Sequence, residues 1–345
     1  MPTMKAAVVV GFKEPLSIQE VPVPEVVPGR ILVKVVASGV CHTDLHAADG
    51  DWSFKPKPPF IPGHEAVGYV CAVGAGVKHV KEGDRVGVPW LHSTCGQCEH
   101  CMSSWETLCD RQQITGYTVN GGYAEFVLAD PAYVGSLPSN VDFSAIAPVL
   151  CAGLTVYKGL KQLECKPGDW VAISGIGGLG HLAVQYARAM GFHVAAVDID
   201  DSKLELAKRL GAELVVNALN ADPIKELQRT LRGAHGVLVT AVSRKAFEQA
   251  VGMLHKRGTM TLLGLPPGEF GVPIFDVVSN AKTIRGSTVG TRMDLREAIA
   301  FASEGKVRAV YTEDKLENIN DIFDRMRKGA IEGRVVMRLS DEYAK

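Results

Sequence analysis

The 345-residue sequence predicts an α/β protein built from a doubly wound parallel sheet and a separate β-rich domain. Three observations predict it. From Asp169 onward, strand-like runs alternate with helical ones. Before that point, short Val/Ile-rich runs are separated by Pro and Gly. A glycine-rich turn stands where the first strand of the alternating half meets its helix.

In the β-rich part the clearest strands are 31–36, 66–73, 85–90 and 123–129, preceded by the strand-like Ala6-Ala7-Val8-Val9-Val10. In the alternating part they fall at 170–174, 193–198, 213–217, 236–241, 258–263 and 283–289. The helix after the first of these places Leu179, Leu182, Ala183, Tyr186, Ala187 and Met190 on one face, with Gly191 as its C-terminal stop. The next opens at Ser202 with Glu205 as a capping box and stops at Gly211. Asp222-Pro223 starts the third, and Ser243 starts the fourth. A last helix opens at Asp294 with Glu297, and the mixed tail after it is too short for a core of its own. The expected division is residues 1–152 with 290–345 as the β-rich domain and 153–289 as the nucleotide-binding domain.

Composition sets limits. Charged residues are 22% and the net charge is −1 without a basic run, so nucleic acid is not an expected partner. No apolar stretch approaches the ~20 residues of a membrane span, so a membrane is not expected either. The N-terminus lacks an apolar leader core, which points to the cytoplasm.

Gly175-Ile176-Gly177-Gly178-Leu179-Gly180 fits G-x-G-x-x-G between a strand and an amphipathic helix. Gly175 permits the tight turn, Gly177 lets a pyrophosphate approach the backbone, and Gly180 lets helix and sheet lie close. The helix N-terminus then faces the phosphates. Asp198 ends the second strand, where a carboxylate accepts ribose hydroxyls and repels a 2′-phosphate, favouring NAD over NADP.

Eight cysteines are present, four of them in one run: Cys95, Cys98, Cys101 and Cys109. Four thiolates match a closed tetrahedral zinc site. An iron–sulfur cluster is the competing reading. His92 and His100 lie nearby and read as surface residues, since the thiolates fill the shell.

Several segments resemble the zinc-containing medium-chain alcohol dehydrogenases, in their shorter microbial branch. Gly63-His64-Glu65-x2-Gly68-x5-Gly74-x2-Val77 matches that family's zinc signature, and Cys41-His42-Thr43-Asp44 its first-ligand segment. The loop from Cys95 to Cys109 is similar to its structural zinc lobe, Cys151-Ala152-Gly153 to its third-ligand segment, and Gly333-Arg334-Val335-Val336 to its C-terminal part.

The resemblance implies a Rossmann domain plus a β-rich catalytic domain carrying two zinc ions. Cys41, His64 and Cys151 would hold the catalytic ion with one position open. Thr43 would hydrogen-bond the alcohol and His46 would end a proton relay. Asp44 would hold the His64 ring, and Glu65 would sit behind the zinc. His42 and Arg334 would lie near the cofactor pyrophosphate and Lys203 near the adenosine ribose. Leu263, Leu265 and Val289 would hold the carboxamide of nicotinamide. Trp52 and Trp90 would line a small pocket for short primary alcohols such as ethanol, reversibly oxidised to the aldehyde. The branch is typically homotetrameric.

Other readings stay open at this stage: a polyol or formaldehyde-adduct dehydrogenase, or a non-enzymatic zinc- and nucleotide-binding protein. A zinc hydrolase is disfavoured, because H-E-x-x-H is absent.

Overall fold

The structure, a computed structural model, describes residues 2–340. The chain forms two compact units. One holds the chain up to Cys151, Thr291–Ser303 and the residues from Ala309 onward; the other holds Ala152–Gly290 and Glu304–Arg308.

The second unit is a six-stranded, all-parallel sheet. Across the sheet the order is Leu214–Asn217, His193–Asp198, Trp170–Ser174, Ala234–Val239, Leu254–Leu262 and Thr283–Gly286. The order reverses direction at Trp170–Ser174, and that switch point is where doubly wound sheets bind dinucleotides. Ile173, Ala196 and Leu238 are fully buried, as strands covered on both faces require.

Helix Gly180–Ala189 buries the expected Leu182, Ala183, Tyr186 and Ala187. It also buries His181 and Val184, because helix Ala152–Lys161 packs on its outer side. Gly191 follows it in the left-handed region (φ 85°). Asp222 caps Pro223–Leu231 by accepting from the Ile224 and Lys225 N–H groups.

Three boundaries differ from expectation. Helix Asp201–Arg209 is capped by Asp200, which accepts from Ser202 N at 2.8 Å. Ser202 is therefore inside the helix, and Glu205 pairs with Lys208 instead. Helix Arg292–Ser303 is opened by a reciprocal Thr291–Asp294 pair, one turn before the expected start. The last strand stops at Gly286, and Val289 takes φ 46°, in the left-handed region outside the extended range of regular strands. Glu304–Arg308 belongs with the second unit, where Gln185 and Arg308 exchange two hydrogen bonds at 2.9 Å.

The first unit is a seven-stranded mixed sheet centred on Ile31–Val40. That strand pairs with Ala66–Val73, with Phe126–Ala129 and, through the tail, with Arg334–Arg338. Two register shifts between Ile31–Val40 and Ala66–Val73 bend the pair. Next to the bend, Ile31–Val40 ends and runs into Cys41.

Candidate active site

Cys41 immediately precedes helix His42–Asp49. Asp44, on the first turn, reaches back to accept from Cys41 N at 3.0 Å. The same carboxylate accepts from Gly63 N at 3.1 Å, His64 Nδ1 at 2.7 Å and the Tyr123 hydroxyl at 2.8 Å. Four donors thus converge on one buried aspartate, fixing two ligand-bearing segments relative to each other.

With its Nδ1 committed, His64 presents Nε2 as a buried nitrogen without a partner. The Cys41 and Cys151 sulfurs lie 3.9 Å apart. Zn–S bonds of about 2.3 Å in tetrahedral geometry would place two sulfurs about 3.8 Å apart. Glu65 completes the cluster, and one donor atom from each of the four lies within 4.8 Å of the others. One Glu65 oxygen binds the Arg334 guanidinium, and Oε2 is buried without a partner.

The electrostatics ask for a cation. Cys151 hydrogen-bonds the Cys41 sulfur and drives its thiol well below the ordinary range. The same contact, with burial, pushes Cys151 well up. Burial opposes charge on His64, but Asp44 more than offsets it. Burial lifts Glu65 to about 7 against the pull of Arg334. Two thiols competing for one proton become two thiolates when a divalent ion binds. An orphaned imidazole nitrogen, two sulfurs at tetrahedral spacing and a carboxylate fit zinc.

Cys95, Cys98, Cys101 and Cys109 form a second cluster, also within 4.8 Å. Cys98 N donates to the Cys95 sulfur at 3.4 Å and Cys95 N to the Cys109 sulfur at 3.5 Å. The Gln97 N–H helps bring the Cys95 thiol down to about 6. Backbone donors aimed at sulfur suit bound thiolates. This loop is joined to helix Arg292–Ser303 through buried Glu106, which accepts from Arg292 N at 3.0 Å and Arg292 Nε at 3.2 Å.

Thr43 is half-buried, two residues after Cys41, and His42 is exposed. His46 Nδ1 is paired with Asp51 at 2.8 Å, and its ring lies 5.6 Å from Trp52. Trp90 meets His64 edge-on at 5.1 Å. Tyr117 touches both indoles, at 5.7 Å from Trp90 and 5.9 Å from Trp52. Tyr117 thus links the two indoles, and Trp90 lies against the ligand His64.

In the second unit, Gly175 takes φ 98°, and a Cβ on Gly180 would meet the Gly175 carbonyl at 1.9 Å. Gly177 faces open space. Gly178 and Leu179 lead into the helix. The Asp198 carboxylate accepts from Ile176 N at 2.6 Å and Ile199 N at 2.7 Å, so it lies directly beside the glycine turn. Lys203 is half-exposed on the next helix. Leu263 is buried and Leu265 exposed, on either side of Gly264.

Arg334, expected near a pyrophosphate, is buried, 4% exposed, against Glu65, with its Nε unpartnered. A buried carboxylate needs that cation. His92 is not a surface residue: it is 6% exposed, with Nδ1 unpartnered, and burial pushes its pKa down to about 4. It lies in strand Leu91–Ser93, whose side chains alternate between faces. Sequence reasoning also missed Tyr123, Tyr117 and Asp51. Only their spacing from the ligands could have raised them, and spacing carries no signal for side chains brought in from another loop.

A nucleotide-binding parallel sheet together with two zinc clusters, one four-thiol and one with an orphaned imidazole, defines a zinc-dependent dehydrogenase. Comparison with known proteins agrees. Residues 27–139 match the alcohol dehydrogenase GroES-like domain and residues 178–304 the zinc-binding dehydrogenase family. The chain is similar to an alcohol dehydrogenase of Moraxella sp. (strain TAE123), 64% identical over 97% of this chain and 99% of that one. It is similar to one from Geobacillus stearothermophilus at 57% identity, over 97% of this chain and 100% of the other. Among solved structures, the alcohol dehydrogenase of Aeropyrum pernix superposes with a TM-score of 0.89 at 35% identity, covering 97% of this chain and 99% of that one. The chain belongs to the zinc-containing medium-chain alcohol dehydrogenases. It is an alcohol oxidoreductase whose cofactors are zinc and a nicotinamide dinucleotide.

Proposed function

We propose that the enzyme interconverts short primary alcohols, ethanol-like in size, and their aldehydes, using NAD. The observation that carries this reading is the partnerless Nε2 of His64 beside two thiols, with Trp90 5.1 Å from the ring. Cys41, His64 and Cys151 hold the catalytic ion, and the four lobe cysteines hold the structural one. When bound, the catalytic zinc supplies a Lewis acid for the alcohol oxygen and the dinucleotide supplies the hydride acceptor.

This chain's own residues do the rest. Asp44 fixes the His64 tautomer, so that Nε2 is the metal-facing nitrogen. Thr43 hydrogen-bonds the alcohol oxygen, and His46 passes its proton to solvent. Asp51 on Nδ1 orients the His46 ring. Glu65, held by Arg334, supplies the acidic background of the site. Trp52, Trp90 and Tyr117 exclude water and leave room for a small alcohol.

For the cofactor, Gly175, Gly177, Gly178, Leu179 and Gly180 take the pyrophosphate, and Asp198 with Lys203 takes the adenosine ribose. Leu263, Leu265 and Val289 present backbone groups to the carboxamide, and exposed His42 supplies a donor near the phosphates. Asp200 and Asp201 follow Asp198 without an arginine, which supports NAD over NADP.

We place the enzyme in the cytoplasm, where its eight free cysteines stay reduced. Among the described residues no single helix is long and apolar enough to cross a membrane. We further propose a homotetramer. Helix Ile274–Ser279 offers Ile274, Phe275 and Val278 at 80%, 85% and 75% exposure beside the sheet's edge strand Thr283–Gly286. Such a cluster suits self-association.

The test is cofactor reduction at 340 nm with NAD⁺ or NADP⁺ against short alcohols, polyols and glutathione adducts of formaldehyde. Highest kcat/KM with ethanol-sized alcohols and NAD⁺ is expected. A preference for polyols or adducts overturns the substrate reading.

A further inference from the structure

We propose that Tyr117 is a specificity-determining partition: its ring stands between the slot beside the metal ligands and a neighbouring cavity able to take the aryl or long alkyl tail of a bigger alcohol. The proposal rests on the reading of Trp52 and Trp90 as the alcohol slot.

The Tyr117 ring has aromatic neighbours in both directions. It meets Trp90, which lies against His64, at 5.7 Å, and Trp52 at 5.9 Å. It also meets Phe54 at 5.5 Å. Phe54 and Tyr117 line a cavity of about 500 Å³ with Lys57, Phe60, Val119 and Asn120. That volume exceeds the needs of a phenyl ring or a six-carbon chain, and the Phe54, Pro59, Phe60 and Val119 part of its lining suits either.

The partition is fixed in place. Tyr117 is only 4% exposed. Its hydroxyl donates to the Phe54 carbonyl. Its turn is tied to the backbone of Trp90, where Thr115 N donates to Trp90 O at 2.9 Å. Thr118 Oγ1 accepts from Ile114 N at 2.7 Å and closes the turn. A ring held at its backbone, its hydroxyl and its faces does not swing aside for substrate. Because the Tyr117 side chain touches both the indoles and the cavity lining, shortening it is expected to join slot and cavity. The enzyme's upper size limit for alcohols is thus set by this residue as well as by the two indoles.

The experiment compares zinc-loaded wild type, Tyr117→Ala and Tyr117→Phe with ethanol, butan-1-ol, hexan-1-ol and benzyl alcohol. Tyr117→Ala is expected to raise the kcat/KM ratio of benzyl alcohol or hexan-1-ol to ethanol at least ten-fold, mainly through KM. Tyr117→Phe keeps the wall and should hold the ratio within about two-fold of wild type. Tyr117→Leu replaces Tyr117→Ala if the latter fails to fold or load two zinc ions. An unchanged ratio in the folded, loaded variant overturns the proposal. If wild type turns over no short alcohol, the functional reading fails instead. The partition is then read from tryptophan fluorescence during benzyl alcohol titration: at least ten-fold tighter binding by Tyr117→Ala supports it, and equal affinity overturns it.

Discussion

Asp44 accepts the Nδ1 proton of His64 at 2.7 Å, and the opposite nitrogen of that ring is buried without a partner. One contact therefore decides which imidazole nitrogen is offered to the metal. Asp44→Ala should lower affinity for the catalytic zinc by roughly 10- to 100-fold. It also strands the Cys41 and Gly63 N–H groups, at about 1–3 kcal/mol for each buried donor left unpaired. Chelator competition on the purified variant measures the first effect and thermal unfolding the second. Wild-type zinc affinity in the variant would show that the carboxylate does not orient the ring.

The two cysteine clusters should separate by phenotype. Cys151→Ser removes a sulfur from the Cys41–His64 cluster and should lose one zinc and nearly all turnover while keeping the fold. Cys98→Ser should lose the other zinc and lower the Tm, because a structural ion contributes folding free energy. Elemental analysis of wild type purified without chelator should give two zinc ions per chain; one would contradict the pair of assignments.

Asp198 should control the choice of dinucleotide. Its carboxylate lies 2.6 Å from Ile176 N, beside the glycine turn. Asp198→Ala should weaken NAD⁺ binding by about 1.5–3 kcal/mol, the scale of a hydrogen bond to a charged group. Relative use of NADP⁺ should rise, since a 2′-phosphate no longer meets a negative charge. Measured kcat/KM for both dinucleotides decides it, and an unaltered ratio removes Asp198 from the ribose site.

Buried His92 should make stability depend on pH. Burial, helped by Arg30, holds its pKa at about 4 in the folded protein, below the ordinary 6.5. The unfolded chain therefore binds more protons between those values. The stability from this group is full above pH 6.5 and is lost as pH falls towards 4, at up to about 1.4 kcal/mol per pH unit. His92→Phe cannot take up that proton, so its Tm should gain on wild type between pH 7 and pH 5. A constant difference across that range contradicts the account.

The alternating strands and helices, the glycine turn and the four-cysteine run were legible because each is a local pattern. Asp222-Pro223 capped its helix as read, since a cap is decided within four residues. Ser202 was misplaced by two residues because Asp200, a better-positioned acceptor, competes for the same role. The dispersed set Cys41, His64 and Cys151 was legible only through resemblance; no periodicity joins residues 110 apart. His92 was misread because its exposure was inferred from a filled zinc shell, while it is buried with Arg30 and Asp130, both distant in sequence, as charged neighbours. Tyr117 and Tyr123 gave no signal at all, because an aromatic residue in a glycine-rich turn looks like any other until the turn is folded over the ligands.

The most direct test of the central claim, that hydride passes from alcohol carbon to NAD at the Cys41–His64–Cys151 centre, uses ethanol with both C1 hydrogens replaced by deuterium. Wild-type enzyme is incubated with NAD⁺ in ordinary water and the reduced cofactor is weighed by mass spectrometry. The account predicts one deuterium per reduced cofactor from wild type, and no reduction by zinc-depleted Cys151→Ser. Reduced cofactor carrying only solvent hydrogen, or equal reduction by the variant, would contradict it.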